Sequence, residues 1–255
     1  MKALPSVVLI WIFQVFAATI YPQTMDSLFA GLAAKEYLTG KFEAKSLPAF
    51  FTLLPAHCAE GEQHLRTEAA LAFIKMADSA HTAGVHLKAV STTRSFFRQK
   101  TIWEAKWTGL RRVEGRNLGK TRWKASKKAE LIMRYSSMPG TSRHHWGTDL
   151  DINSVDAAYF NTLEGRRVYG WLIAHAKHFG FCQVYQTKEN SGRSGYEEEK
   201  WHWSYLPLSV PFTEKYKALV SNQDISGFLG CEAALEIQAV EVYVLGLNSL
   251  CIPKP

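Results

Sequence analysis

Read from its first residue, the chain opens on an apolar run at 4–20 that follows Lys2 and closes on the small residues Ala17, Ala18 and Thr19. That order is the pattern of a secretory signal, occupying 1–20 and cleaved at about 18–23. An uncleaved anchor helix is the alternative, because the run approaches the lower length of a membrane span. Beyond it the apolar spacing turns helical: Asp26 can cap a segment carrying Leu28, Leu32 and Leu38, with Gly40 as its stop. Residues 66–83 predict a second helix, with Leu71, Ile74 and Ala77 on its apolar stripe and Gly84 at its end. Residues 85–91 read as a strand, and 96–107, bearing Phe97, Ile102 and Trp103, as a helix. Leu150 and Ile152 alternate with polar neighbours as a short strand; 164–179 is a helix ended by Gly180. Two further strands follow at 181–185 and 201–205, the second stopped by Pro207, with Gly195 in their connection as a hairpin requires. Residues 212–220 and 231–245 close the chain as helices. Helices first, then strands with an antiparallel hairpin, predict an α+β fold.

Composition narrows this to one globular unit. The 255 residues are 47% hydrophobic and 21% charged, enough apolar material for a sizeable core, which excludes a disordered or collagen-like chain. No segment repeats at a fixed period, which excludes a solenoid. The expected organisation is therefore a signal followed by a single domain over 24–255. The four cysteines, Cys58, Cys182, Cys231 and Cys251, form no CxxC, which argues against a redox motif or a thiolate zinc ribbon. Export makes them candidates for disulfides, and three pairings stay open. Cys231 and Cys251 could join only if the tail folds back along the helix between them. With no Cys near the end of the apolar run, lipid attachment there is excluded.

The formal charge of +7 is local in origin: Arg111, Arg112, Arg116, Lys120, Arg122, Lys124, Lys127 and Lys128 meet only Glu114. Such a block is either a solvated face or an attractor for an anionic polymer or a carboxylate-bearing substrate. An exported chain with no nucleic-acid motif does not predict a nucleic-acid partner. Residues 115–121 read GxxxGKT, one residue short of a phosphate-cradling loop, and are set aside.

The sequence contains no HExxH, GxSxG or SxxK, so a serine nucleophile of the SxxK kind is excluded. Potential metal ligands cluster instead at 142–151, which contains Ser142, His144, His145, Gly147, Asp149 and Asp151, and at 197–203, which contains Glu197, Glu198, Glu199, Trp201 and His202. Two imidazoles and one carboxylate from separate strands would leave a fourth position open, the pattern of catalytic rather than structural zinc. An unliganded Glu could then take a proton from water at that position.

Ser142, His144, Gly147 and Asp151 resemble the SxHxxGxxxD motif, and Glu199, Trp201 and His202 the ExWH motif, of the VanY-type D-alanyl-D-alanine carboxypeptidases, zinc peptidases of the M15 group. Upstream, Arg94, Ser95 and Gln99 are similar to that family's Arg-Ser turn with a Gln five residues after the Arg, and Trp171, Leu172, Ala176, Gly180 and Phe181 to its helix-then-strand core. The resemblance covers about 65–207. It implies a small antiparallel sheet, flanked by helices, that carries one Zn2+ on His144, Asp151 and His202. Glu199 would be the general base and Arg94 the cation that holds the substrate carbonyl and its oxyanion; Ser142 and Gln99 would serve substrate binding. The implied substrates are peptidoglycan stem peptides, outside the cytoplasm in the periplasm or cell envelope, with no membrane span once the signal is removed. The implied action is D-Ala-D-Ala carboxypeptidase, with endopeptidase cleavage or a non-catalytic wall-binding protein as alternatives.

Three points stay open at this stage. Asp149, two residues from Asp151 and on the same strand face, could be the ligand or could fix a histidine ring. His145 competes with His144, and Glu197 and Glu198 with Glu199. Finally, Glu199 and His202 are three apart, so on a flat strand they would face opposite ways; a bulge, or a strand that starts after Glu199, must re-aim the carboxylate.

Overall fold

In the computed structural model, which describes residues 28–252, the first helix is shorter than its sequence pattern. α1 spans only Ala34–Leu38, because Ala30 and Gly31 take left-handed backbone (φ 55° and 74°) and interrupt the segment that begins at Leu28. The expected signal and the Asp26 cap lie outside the described residues. β1 (Phe51–Leu53) and β2 (His64–Arg66) then pair as an antiparallel ladder, absent from the sequence reading because three-residue strands show too little alternation to register.

α2 (Thr67–Thr82) lies within the expected bounds but turns a different face inward. It buries Ala69, Ala70, Phe73, Met76, Ala77 and Ala80, whereas Leu71 of the expected stripe is 53% exposed. The alanines let the helix axis approach the sheet closely, and Phe73 packs edge-on to Phe181 with centroids 6.4 Å apart. β3 is Ala89–Ser91, shorter than the predicted 85–91. α3 (Phe96–Trp107) keeps its predicted bounds: the Ser95 hydroxyl accepts the Arg98 N–H at 3.3 Å, a serine N-cap. Its inward face is Phe96, Gln99 and Trp103, and Phe97 is exposed. α4 (Ala125–Ile132) emerges from the basic block, where no helix was expected.

The site-bearing part follows. β4 (Asp149–Ile152) is buried along its whole length; α5 (Leu163–His175) runs through a 3-10 turn (Ala176–Phe179) to Gly180. β5 (Phe181–Cys182), the one-turn helix α6 (Lys188–Ser191) and β6 (His202–Tyr205) come next. Pro207 does end that strand, by opening α7 (Leu206–Leu219), whose first turn needs no proline N–H. The helix expected over 231–245 divides at Gln238 (φ 51°) into α8 (Ala233–Glu236) and a π-helical turn (Ala239–Val244). No helix of the described residues is long and apolar enough to cross a membrane.

The main sheet has the order β3-β4-β6-β5 with every pair antiparallel, so the architecture is α+β as expected. Asp149, Leu150 and Asp151 of β4 stand opposite Ser204, Trp203 and His202 of β6. Alternation sends Leu150, Ile152 and Trp203 to one face, where Phe73 and Met76 of α2 and Val168 and Leu172 of α5 cover them. Each such side chain, fully buried, contributes roughly 1.5–3 kcal/mol. Asp149, Asp151, His202 and Ser204 are left on the other face. A second core of Tyr37, Trp103, Trp146, Phe212 and Tyr216 closes over much of that side.

Both outer strands of the sheet are covered. Cys182 of β5 is bonded to Cys251, which resolves the open pairing and leaves Cys58 and Cys231 as thiols. The Asn248 backbone N–H donates to the Val184 carbonyl at 3.0 Å and its amide to the Gln183 carbonyl at 3.2 Å, so the tail runs along the end of β5. At the opposite side Ala89 bridges Ala59, and the Gln63 amide donates to the Val90 carbonyl at 3.2 Å. The disulfide spans 69 residues. In the chain-entropy account a loop of that length restricts the unfolded state by about 4 kcal/mol. Cys251→Ser should therefore lower unfolding free energy by up to that amount in urea titration.

Candidate metal centre and active site

His144 sits in a 3-10 turn (Arg143–Trp146) that leads into β4. Gly147 ends the turn in left-handed backbone (φ 72°), and a Cβ there would come within 2.5 Å of the Phe51 ring, so the motif glycine is required twice over. The His144 Nδ1–H donates to the Thr92 carbonyl at 2.8 Å, which leaves Nε2 as its lone-pair nitrogen. In His202 the assignment is reversed: Nε2–H donates to Asp149 Oδ2 at 2.9 Å and Nδ1 is left free. Both free nitrogens lie 3.3 Å from Asp151 Oδ1. One ligand atom from each of His144, Asp151 and His202 falls within 4.8 Å of the others, and all three residues are buried. The rings meet at right angles with centroids 4.8 Å apart.

The fit to a cation can be tested on the polar atoms themselves. His144 Nε2 and Asp151 Oδ1 are buried without a hydrogen-bond partner, a costly arrangement unless something else takes their lone pairs. Two imidazoles and one carboxylate are an ordinary donor set for zinc. Burial opposes charge on His202, yet the carboxylates of Asp149 and Asp151 beside it outweigh that and push it up to about 9. A dication seated among these groups would replace that proton.

Asp149 belongs to the support of the site. Besides His202 it accepts from Arg143 Nε at 3.0 Å, Thr148 Oγ1 at 2.7 Å and Ser204 Oγ at 2.8 Å. Burial would raise its carboxyl, but Arg143, His202 and Thr148 hold it well below the usual carboxylate range. Of the two roles left open for Asp149, the structure has the one that fixes a ring. Asp149→Asn keeps the shape and removes the charge. It should cost about 10- to 100-fold in zinc affinity by titration. Because the fully buried Arg143 then loses its anion, stability should also fall by roughly 3–5 kcal/mol in urea unfolding.

The other expected residues divide between the cleft and its walls. His145 points away: its Nδ1–H donates to the Arg94 carbonyl at 2.6 Å and its Nε2 accepts the Gly140 N–H at 3.0 Å, while burial pushes it down to about 3. It thus holds the loop before the motif. Glu197 pairs with Lys188 at 3.1 Å and Arg134 at 3.4 Å, and Glu198 stands 3.9 Å from Lys200, both on the partly exposed side. Glu199 alone of the three turns inward, with Oε2 3.5 Å from His202 Nδ1. The spacing difficulty is removed because β6 begins at His202: the preceding residues turn, and the His202 N–H donates to the Glu199 carbonyl at 3.3 Å. Burial pushes the Glu199 carboxyl up to about 7, with His202, Arg94 and Arg193 opposing that rise.

These groups open into a cleft of about 380 Å³, lined among others by Arg94, Ser142, Tyr185 and Trp201. Arg94 Nε and Ser142 Oγ are buried there without partners. Gln99 departs from the expected substrate contact. It is fully buried on the inner face of α3, donates to the Ser137 carbonyl at 2.7 Å and is absent from the cleft lining, because its helical position turns it into the wall. The sequence reading missed Lys106, Tyr135, Ser136, Ser137 and Tyr185 as lining residues, and had Arg111 only as one charge of the basic block. No spacing marks them, since each reaches the cleft by tertiary packing.

A small sheet that gathers two imidazoles and two carboxylates at the floor of a cleft is a frame suited to hydrolysis. Residues 62–208 match the family model described as VanY, D-alanyl-D-alanine carboxypeptidase, and the chain belongs to that family. It is 30% identical over 151 residues to YodJ of Bacillus subtilis (strain 168), a carboxypeptidase by name, covering 57% of this chain and 47% of that one. It is also 30% identical over 133 residues to the D-alanyl-D-alanine carboxypeptidase of Enterococcus faecalis (strain ATCC 700802 / V583), covering 52% and 45%. The chain thus spans about half the length of the curated relatives it matches. Among solved structures, the LdcB LD-carboxypeptidase is 26% identical with a TM-score of 0.47, over 65% of this chain and 70% of that one.

Proposed function

We propose that the chain is a zinc-dependent peptidase that hydrolyses peptidoglycan stem peptides outside the cytoplasm, acting as a carboxypeptidase after D-Ala. The observation that carries this reading is the buried His144, Asp151 and His202 set, with orphaned lone pairs and Glu199 beside it. Zinc held by those three side chains would polarise the scissile carbonyl and acidify a water. Glu199 takes the water proton and passes it to the leaving amine, a role open to it because its carboxylate stands unliganded beside His202. The unpartnered Nε of Arg94 offers a fixed donor to the oxyanion that develops on the carbonyl, where preorganised positive charge is most effective. The Ser142 hydroxyl, also unpartnered, is available to a substrate carboxylate, which favours removal of a terminal residue over cleavage within a peptide. Gln99 holds the Ser137 segment of the wall through its amide. A non-catalytic wall-binding role would predict loss of a ligand or of the base, and all four positions are filled.

The test is mass spectrometry of muropeptides incubated with the protein, with and without chelator. Loss of a single terminal D-Ala, abolished by chelator and restored by zinc, is the expected result. Cleavage that opens cross-links instead would make it an endopeptidase, and unchanged muropeptides would remove the peptidase reading.

A further inference from the structure

One wall of the cleft carries more positive charge than the proposed reaction uses, which draws on Arg94 alone. Arg94, Lys106 and Arg111 all line it, and none of the three is ion-paired among the described residues. They come from the two ends of one helix. Arg94 immediately precedes the Ser95 cap of α3, and Lys106 lies in its last turn. Arg111 follows the reversal at Gly109, its backbone N–H donating to the Ala105 carbonyl at 2.7 Å. The Lys106 ammonium donates to the Ser136 hydroxyl and has no anionic partner. Burial, with Arg111 and Arg94 nearby, pulls it down to about 8.

The anions of the cleft do not balance this wall. Asp151 stands against the two histidines, Arg143 is matched by Asp149, and Glu199 is the remaining carboxylate. One carboxylate, Glu199, does not balance three half-buried or exposed cations that repel one another, and the arrangement is relieved when a further anion enters. The terminal carboxylate of a substrate supplies one negative charge at the reacting end, near Ser142 and Arg94. Lys106 and Arg111 are then left facing substrate residues on the amino side of the scissile bond.

Resting on the peptidase reading above, we propose that Lys106 and Arg111, with the hydroxyl of Ser136, form a subsite for a second carboxylate of the substrate, carried by a residue on the amino side of the scissile bond. The enzyme then prefers stem peptides whose upstream carboxylates are free over those in which they are amidated. Lys106 and Arg111 act here as specificity groups, since they bind the substrate away from the reacting atoms. A charge-assisted hydrogen bond in a partly desolvated cleft is worth at least ~10-fold in binding.

The test uses the zinc-loaded protein and two pentapeptides ending in D-Ala-D-Ala that differ only in whether the upstream carboxylates are free or amidated. Wild type should show a kcat/KM at least ~10-fold higher on the free form. Lys106→Gln should erase that preference by raising KM on the free form, with the amidated peptide unaffected. Arg111→Gln, at an exposed position that does not bear on folding, should shift the ratio in the same direction. Equal rates on the two peptides in wild type overturn the subsite, as does an equal fractional loss on both in the variants. Hydrolysis of neither peptide by wild type overturns the peptidase reading itself, and the subsite with it.

Discussion

Glu199→Gln is expected to lower hydrolysis of a D-Ala-D-Ala pentapeptide at least ~100-fold, the lower range for loss of a general base, with zinc content near the wild-type level. The amide keeps the size and most of the hydrogen-bonding reach of the carboxylate but cannot accept the water proton. Burial acts on the two side chains very differently: a neutral amide is tolerated where the carboxyl is pushed up to about 7, so the variant should fold at least as well as wild type. Glu198→Gln is the internal control. Its carboxylate lies toward Lys200 rather than His202, and most activity should survive. Turnover kinetics beside metal analysis decide the matter. Activity that persists in Glu199→Gln makes the carboxylate a spectator, and zinc that disappears with it makes it a ligand.

The second large effect concerns the metal. Wild type should hold about one zinc per chain, and His202→Ala should lose it together with all chelator-sensitive activity, because three ligands is the usual protein complement of a catalytic zinc. His202 is also the residue to which both Asp149 and Asp151 turn, at 2.9 and 3.3 Å. Its removal therefore leaves two buried carboxylates without their imidazole, and a stability loss should accompany the loss of metal. Urea unfolding of the variant separates the two effects. A folded protein without zinc is the expected state, and metal analysis that finds none in wild type after zinc supplementation contradicts the assignment.

The residues that the motifs single out are also those the fold gathers. Asp151 and His202 face each other across β4 and β6, and His144 comes in from the preceding turn. That much came from the family resemblance, whose motifs name those three residues; strand alternation adds only which residues share a face. It could not distinguish the roles of Asp149 and Asp151, which share a face; that distinction depends on Arg143 and Ser204, one at the preceding turn and one on the neighbouring strand. Helix bounds were legible where a glycine marks them, as at Gly180, and failed where a non-glycine residue takes left-handed backbone, as at Ala30 and Gln238. The inward face of α2 was misread because Leu71 outweighs alanine in apolar strength, while close packing on the sheet favours the smaller side chains. Gln99 was misplaced because a helical residue beside a cleft can turn either into it or into the wall.

The covered margins of the main sheet constrain how a peptide can be held. An extended chain commonly docks on a protein by joining a sheet as one more strand, which requires a row of unsatisfied backbone groups at its border. Here the disulfide-anchored tail occupies the border at β5, and the segment around Ala59 that at β3. On the proposed reading, recognition of a stem peptide then falls to side chains, and with it the choice of substrate. Backbone pairing is indifferent to the configuration of the residues it reads only in part, whereas a pocket of fixed cations and hydroxyls distinguishes both handedness and charge. A main sheet so closed at its borders is suited, on that reading, to short peptides of mixed chirality, and neither of its two outer strands, among the described residues, is open to pairing by a neighbouring molecule.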